Sequence, residues 1–225
     1  MGLRSFFLSA MVVLMATLCC ANPVCAPIER DTVMALADPL SPRHDEEALV
    51  ASLQQLLADG RMTNADRLWC EAMLEMATRN RVGEVCNDLE YVTVEGAKGH
   101  LHGIESELTL LFFNDPDCLS CHQVKERLDT CETLRVMVSR HELTVVALCV
   151  GDEEEKWRVE EYPDYVVNAF DMARAVENEE VYDLPTMPLF YLLDTDKRVL
   201  LKNEPSLNRV VEVLKAKSRY RPARR

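Results

Sequence analysis

Two unbroken apolar runs limit what this chain can fold into: LTLLFF at 108–113 and LTVVALCV at 143–150. A strand with one wet face alternates apolar and polar side chains. These runs do not alternate, so both of their faces must be covered, as in a sheet flanked by helices. Between them, a stretch starting at or near Cys118 reads as helix and continues to Arg140. Strand, helix, strand is a crossover, and crossovers between parallel strands are right-handed. A third run, LFYLL at 189–193, ends at Asp194-Thr195-Asp196 and is followed by 199–201. That interval is too short for a crossover, so these last strands are expected to be antiparallel. A final helix is expected over 205–217, with Leu207, Val210, Val211 and Leu214 on one face. This is the order of an α/β protein.

The segments ahead of this frame are shorter. Residues 89–94 (LEYVTV) alternate like a half-buried strand, 95–99 form a turn, and 100–101 return as a short partner. Residues 152–180 read as acidic and mostly helical, interrupted by Pro163. Nearer the start, Pro23, Pro27 and Pro39 mark a linker with one short helix at 31–37. Ser41-Pro42 then caps and opens a helix with Leu49, Leu53, Leu56 and Leu57 at helical spacing, ended by Asp59-Gly60. Thr63 opens a second helix, with Asp66 in the capping-box position. Its expected apolar face is Leu68, Trp69, Ala72, Met73 and Met76, and Asn80 and Gly83 stop it. The two make a helical hairpin too small to own a core, expected to pack on the α/β domain. The domain reading is a signal peptide at 1–21, linker and hairpin at 22–83, the α/β domain at 84–217 and a basic tail at 218–225.

Charge excludes one class of partner. The formal net charge of -13 argues against nucleic acid, and no glycine-rich phosphate loop is present. The basic end, from Lys215 to Arg225, reads as a solvated tail rather than an anionic-surface anchor. At the start, Arg4 precedes the apolar run FFLSAMVVLMATL at 6–18. That run is shorter than the roughly 20 residues a membrane span needs and has the form of an export signal. Cleavage after Ala21 gives a mature start at Asn22. The alternative is lipid attachment at Cys19 or Cys20, which makes a membrane tether. Either way the expected location is outside the cytoplasm, periplasmic or membrane-tethered.

Export permits disulfides, and the chain has nine cysteines. Cys19 and Cys20 fall in the signal and Cys25 just after it. Of Cys70, Cys86, Cys118, Cys121, Cys131 and Cys149, only Cys118 and Cys121 are closely spaced. Cys118 falls where a buried strand hands over to a helix, and the unpaired N–H groups there favour an anion. A thiol so placed has its pKa lowered from about 8.5 into the range of roughly 3.5 to 7.5. Cys121, one turn on, can attack a mixed disulfide from the same face. Cys118 is therefore the expected nucleophile and Cys121 the resolving thiol. His122 favours the thiolate when protonated, whereas Asp115 and Asp117 oppose it. Other readings of the pair are a structural bridge, idle thiols, or half of a zinc site completed by His122 and Cys131. Cys149 reads as a core thiol, Cys131 as helix packing, and His102 and His141 as surface or cap residues. Trp69 reads as hairpin core and Trp157 as a cover for the sheet. A bridge between Cys70 and Cys86 is not established by spacing.

The strand LTLLFF followed by Asn114-Asp115-Pro116-Asp117-Cys118-Leu119-Ser120-Cys121 resembles thioredoxin-like proteins of the TlpA/ResA type. So does YDLPTMPLFYLLD at 182–194, similar to that family's segment around its cis-proline. The resemblance spans 84–217. It implies a thioredoxin-like fold, a central mixed sheet flanked by helices, preceded here by the helical hairpin. It also implies a cis Pro188, with Met187 flanking the disulfide and a loop that presents backbone to an extended substrate. The implied activity is thiol–disulfide exchange with protein disulfide substrates, reductase-like, reset by an external thiol donor and needing no cofactor. The implied setting is the envelope of a Gram-negative bacterium. The hairpin resembles the later part of a domain that precedes such folds in exported proteins. One departure stands out: Asp117 occupies a position where the family often has an aromatic residue, commonly Trp. Two further readings are a redox-inactive binding module and copper or zinc handling through Cys118, Cys121 and one histidine.

Overall fold

The computed structural model describes residues 29–59, 61–178 and 181–219. The signal segment, Cys19, Cys20, Cys25 and the end of the basic tail lie outside the described residues. In chain order the elements are α1 (Arg30–Ala37), α2 (Glu46–Asp59), α3 (Asn64–Thr78), β1 (Glu90–Thr93), β2 (Lys98–His100), a 3-10 turn (Leu101–Gly103) and β3 (Leu108–Asn114). Then come α4 (Leu119–Thr130), α5 (Glu132–Ser139), β4 (Leu143–Cys149), α6 (Glu154–Arg158) and β5 (Val166–Phe170). The chain ends with α7 (Ala175–Asn178), β6 (Leu189–Asp194), β7 (Val199–Glu204) and α8 (Leu207–Arg219). No helix among the described residues is long and apolar enough to cross a membrane.

The strands form one mixed sheet in the order β2-β1-β5-β4-β3-β6-β7. β3, β4 and β5 are parallel; β6 runs antiparallel to β3, β7 to β6, β1 to β5 and β2 to β1. The unbroken apolar runs are explained by the pleat. Leu110, Phe112, Val145 and Ala147 pack under α4, α5 and α8, against Val124, Leu128, Leu134, Met137, Val210 and Leu214. Their neighbours Leu111, Phe113, Val146 and Leu148 face the other way, against Leu89, Leu101, Tyr182 and Val199. That second face is closed mainly by loops and the short α7, with Phe113, Tyr182 and Tyr191 meeting in tilted and edge-to-face ring contacts.

Three expectations need correction. Residues 152–180 are not mostly helical, because they contain the parallel strand β5. Its run of Val166, Val167, Ala169 and Phe170 is short, and its pairing with β4 and β1 decides its state rather than local propensity. The helix from Cys118 does not continue to Arg140; it breaks at Cys131, whose ψ of 90° is not helical. A straight helix would carry the Val124–Leu128 stripe on through Cys131 and Arg135. The break resets the phase, so that Leu134 and Met137 reach the same core instead. No proline or glycine marks it in the sequence.

The third correction concerns the N-terminal helices. α1 joins α2 and α3 in a three-helix unit with its own small core of Val33, Leu49, Val50, Leu53, Cys70 and Ala77. The α3 face is therefore turned toward Cys70 and Ala77, leaving Leu68 66% exposed. Thr63 caps α3 as expected, accepting from the Asp66 N–H at 3.1 Å. Asp45, not Ser41, caps α2, accepting from the Ala48 N–H at 2.8 Å, and Pro42 lies before the helix. Asn80 and Gly83 end the unit with positive φ, 49° and 88°.

The helical unit is tied to the sheet through β7. The Gly83 N–H donates to Val199 O at 2.8 Å, the Val199 N–H to Glu84 O at 2.9 Å and the Cys86 N–H to Lys197 O at 2.9 Å. The Lys202 side chain, 1% exposed, donates to Ala77 O at 2.9 Å and lies 3.3 Å from Glu46. Replacing Lys202 by Ala strands a helix-end carbonyl and leaves Glu46 to water. The expected loss is about 1–3 kcal/mol of unfolding free energy, read as a lower urea midpoint. An unchanged midpoint would show that the lysine does not join the two units.

Candidate active site at the head of the fourth helix

β3 ends at Asn114, and a tight turn delivers the cysteines. Asp115 Oδ1 accepts from the Asp117 N–H at 2.7 Å and the Asp115 carbonyl from the Cys118 N–H at 3.1 Å. Cys118 is the N-cap of α4, its Sγ accepting from the Cys121 N–H at 3.1 Å. The sulfur therefore sits at the N-terminus of a twelve-residue helix, sharing the Cys121 N–H with the Cys118 carbonyl, the location that stabilises a thiolate. Cys118 and Cys121 are joined as a disulfide, with Cα atoms 5.2 Å apart. Cys121 is 3% exposed whereas Cys118 is half-buried, flanked by a Leu119 that is 74% exposed. Access from solvent thus favours the first cysteine.

The Met187–Pro188 bond is cis. Pro188 directly precedes β6, whose first residue Leu189 pairs with Phe113 near the end of β3. The antiparallel register therefore brings Met187 and Pro188 out at the end of the sheet from which Cys118 emerges. Met187 and Cys118 pack against the same core cluster.

The three residues expected to tune the Cys118 thiol are placed differently from one another. Asp117 is exposed, and both of its carboxylate oxygens accept from Lys156 of α6, at 2.8 and 2.7 Å. The ion pair holds the Lys156 ammonium above its ordinary pKa and offsets the negative field of Asp117 on the neighbouring sulfur. Asp115 is spent on its own turn. His122 lies with Nε2 3.8 Å from Glu160, whose other oxygen pairs with Lys125. Lys125 also sits 5.5 Å above the Tyr162 ring, and Tyr162 donates to Asn114 Oδ1 at 3.1 Å. Burial, then Glu160, pushes the Tyr162 hydroxyl pKa up, so it stays a donor. Asn114 opens the segment that carries the cysteine pair, but Lys156, Lys125, Glu160 and Tyr162 carry no motif that sequence alone would single out. Three of them lie in a segment whose only signal is its acidity.

The remaining thiols stand apart. Cys149 pairs in register with Asn114 but is fully buried; desolvation, then nearby carboxylates, pushes its pKa up to about 12. Cys70 and Cys86 are buried and unbridged, and burial raises both. Cys131 lies at the far end of α4, about 15 Å along the axis from Cys121, so it cannot complete a zinc site with the pair. Among the described residues no group of three or more His, Cys, Asp or Glu is placed to hold a metal. His102 bonds the Cys86 carbonyl, at 2.9 Å, and His141 closes α5 with φ 57°. Trp157 is 1% exposed, donating to Asn168 at 2.6 Å and packed at a tilt against the Phe170 ring.

This arrangement defines a class: a thioredoxin-like fold with a cysteine pair at a helix head beside a cis-proline loop. No protein-family model and no curated protein matches the chain. Among solved structures it is similar to a thioredoxin-like protein from Bacteroides caccae, at TM-score 0.77 and 28% identity over 82% of this chain and 68% of that one. The C-terminal domain of an uncharacterized protein from Bacteroides fragilis matches at TM-score 0.58 and 30% identity, over 60% of this chain and 98% of that one. A domain described as a possible thiol-disulfide isomerase from Cytophaga hutchinsonii shares the fold, at TM-score 0.50 and 20% identity over 63% of this chain and 97% of its own. The chain belongs to the same family as the Bacteroides fragilis domain.

The Asp117–Lys156 pair makes one expected outcome concrete. In the reduced protein, Lys156→Ala unmasks Asp117 and raises the Cys118 pKa by about half a unit, a size suited to exposed charges. Asp117→Asn frees Lys156 and lowers it. Ultraviolet thiolate absorbance against pH reads both; shifts of the same sign would contradict the pairing. The contrast in burial gives another. An alkylating reagent at neutral pH modifies Cys118 of the reduced native protein while Cys149 stays protonated and unlabelled until denaturant is added, as peptide mapping would show.

Proposed function

We propose that the protein is an extracytoplasmic thiol–disulfide oxidoreductase of the TlpA/ResA type, acting on protein disulfides and working as a reductase. The observation that carries this is the graded burial of the pair: a half-buried Cys118 capping α4, bridged to a sealed Cys121, on the sheet end that carries the cis Met187–Pro188 bond.

The reduced form starts the cycle. Cys118 thiolate attacks a substrate disulfide, forming a mixed disulfide and expelling one substrate thiolate, which takes a proton from water. The substrate chain lies along the loop of Met187 and Pro188. Cys121, deprotonated, then attacks the Cys118 sulfur and expels the second substrate thiolate. Two electrons have passed to the substrate, and the Cys118–Cys121 disulfide remains. An external dithiol donor reduces it. Export rests on Arg4 and the apolar run at 6–18, followed by cleavage after Ala21 or by lipid attachment at Cys19 or Cys20.

Cys121→Ser should accumulate a mixed disulfide between Cys118 and a protein substrate, visible as a species that vanishes on adding dithiothreitol. Cys118→Ser should lower disulfide reductase activity by roughly a hundredfold or more, because the attacking thiolate is gone. Retained activity in Cys118→Ser, or no trapped adduct with Cys121→Ser, would overturn the exchange reading. It would leave a fold that binds without exchanging.

A further inference from the structure

A cleft of about 570 Å³ lies where the three-helix unit meets the segment leading into the cis-proline loop. Met34, Met73 and Met76 line it from α1 and α3, and Leu40 from the turn between α1 and α2. Pro185 and Thr186 line it from the sheet domain, the two residues immediately ahead of Met187 and Pro188. Met34 is 50% exposed and Leu40 65%, large apolar side chains left facing water. Methionine is unbranched and polarizable, so a surface rich in it re-packs around differently shaped apolar groups.

The polar groups of the cleft divide into satisfied and unsatisfied ones. Lys202 is already held by Ala77 O and Glu46. Burial pushes the Asp183 carboxyl up, with Lys202 and Arg79 opposing. Asn203, 4% exposed, is different: its Oδ1 has no hydrogen-bond partner among the described residues. A buried acceptor without a donor is costly, so the wall of the cleft at Asn203 carries an unmet hydrogen-bonding demand.

We infer that this cleft is a second subsite for the substrate polypeptide, taking a large apolar side chain about three to five residues from the cysteine under attack. The inference rests on the exchange reading and adds substrate choice to it. The spacing follows from reach. An extended chain advances about 3.3 Å per residue, and a substrate lying along the loop from Cys118 past Pro188 arrives over Thr186 and Pro185 within a few residues. The helical unit is thereby a selector. It gives the sheet domain an apolar wall that its own residues 84–217 do not supply.

The test uses the reduced full chain and three disulfide probes: glutathione disulfide, a peptide disulfide with Leu four residues from its cysteine, and the same peptide with Ser there. Wild type is expected to reduce the Leu peptide with a kcat/KM roughly tenfold above the Ser peptide, the effect of burying part of one apolar side chain. Leu40→Asp and Met34→Asp, at exposed positions, should erase that preference through KM and leave glutathione disulfide reduction unchanged. If Leu and Ser peptides react equally with wild type, with Leu moved through positions three to five, the subsite is overturned while exchange stands. The subsite is also overturned if both variants keep the preference. If wild type does not reduce glutathione disulfide and Cys118→Ser behaves identically, the exchange reading falls, and the subsite with it.

Discussion

The structure depends on the pairing of β3 with a neighbour on each side. All seven residues of β3 pair in parallel with β4, and six of them pair antiparallel with β6. Two consequences come from one register. The parallel partner fixes where the crossover helix must start, which puts Cys118 at the head of α4. The antiparallel partner fixes where β6 begins, which puts Pro188 at the same end. A slip of one residue in either ladder would turn Phe112 and Phe113 to the wrong faces, so the register is held by both cores at once. The geometry of the pair is thus a consequence of packing rather than of the cysteines.

Around that fixed point the charges are arranged to cancel. A carboxylate beside Cys118 opposes a thiolate there, and Asp117 stands where the resemblance leads one to expect an aromatic residue. The structure supplies Lys156 from α6 to neutralise it, and Lys125 to hold Glu160 on the other side of His122. α6 in turn is anchored by Trp157, sealed against Phe170 and Cys149. A helix of five residues is too short to be stable by itself, so the ion pair beside Cys118 depends on one buried indole.

Much of this is legible from the chain. The strands at 108–113, 143–150 and 189–193 are readable because continuous apolar runs have few alternatives, and the cysteine pair because it comes directly after one of them. The cis bond at Pro188 is readable from resemblance, not from any physical signal in the residues. Strand β5 is hidden: its five residues sit among carboxylates, and only pairing with β4 and β1 makes them a strand. The break at Cys131 is hidden for a different reason. It is required by the phase of side chains on two helices against a common core, which no local residue encodes. Lys156, Glu160 and Tyr162 reach the site across more than thirty residues of chain, and pairwise contacts at that separation leave no mark in a single sequence.

The short segment at 82–85 carries a consequence of its own. It runs beside β7 and bridges it at Val199 and Arg198. Without it, the start of the β7 edge would be bare amide and carbonyl, open to another extended chain. The connector between helical unit and sheet is therefore also a guard rail. A chain shortened to begin at Cys86 would keep its cysteine pair and the cores of its sheet, yet it would present a sticky edge, and self-association rather than unfolding would be its characteristic failure.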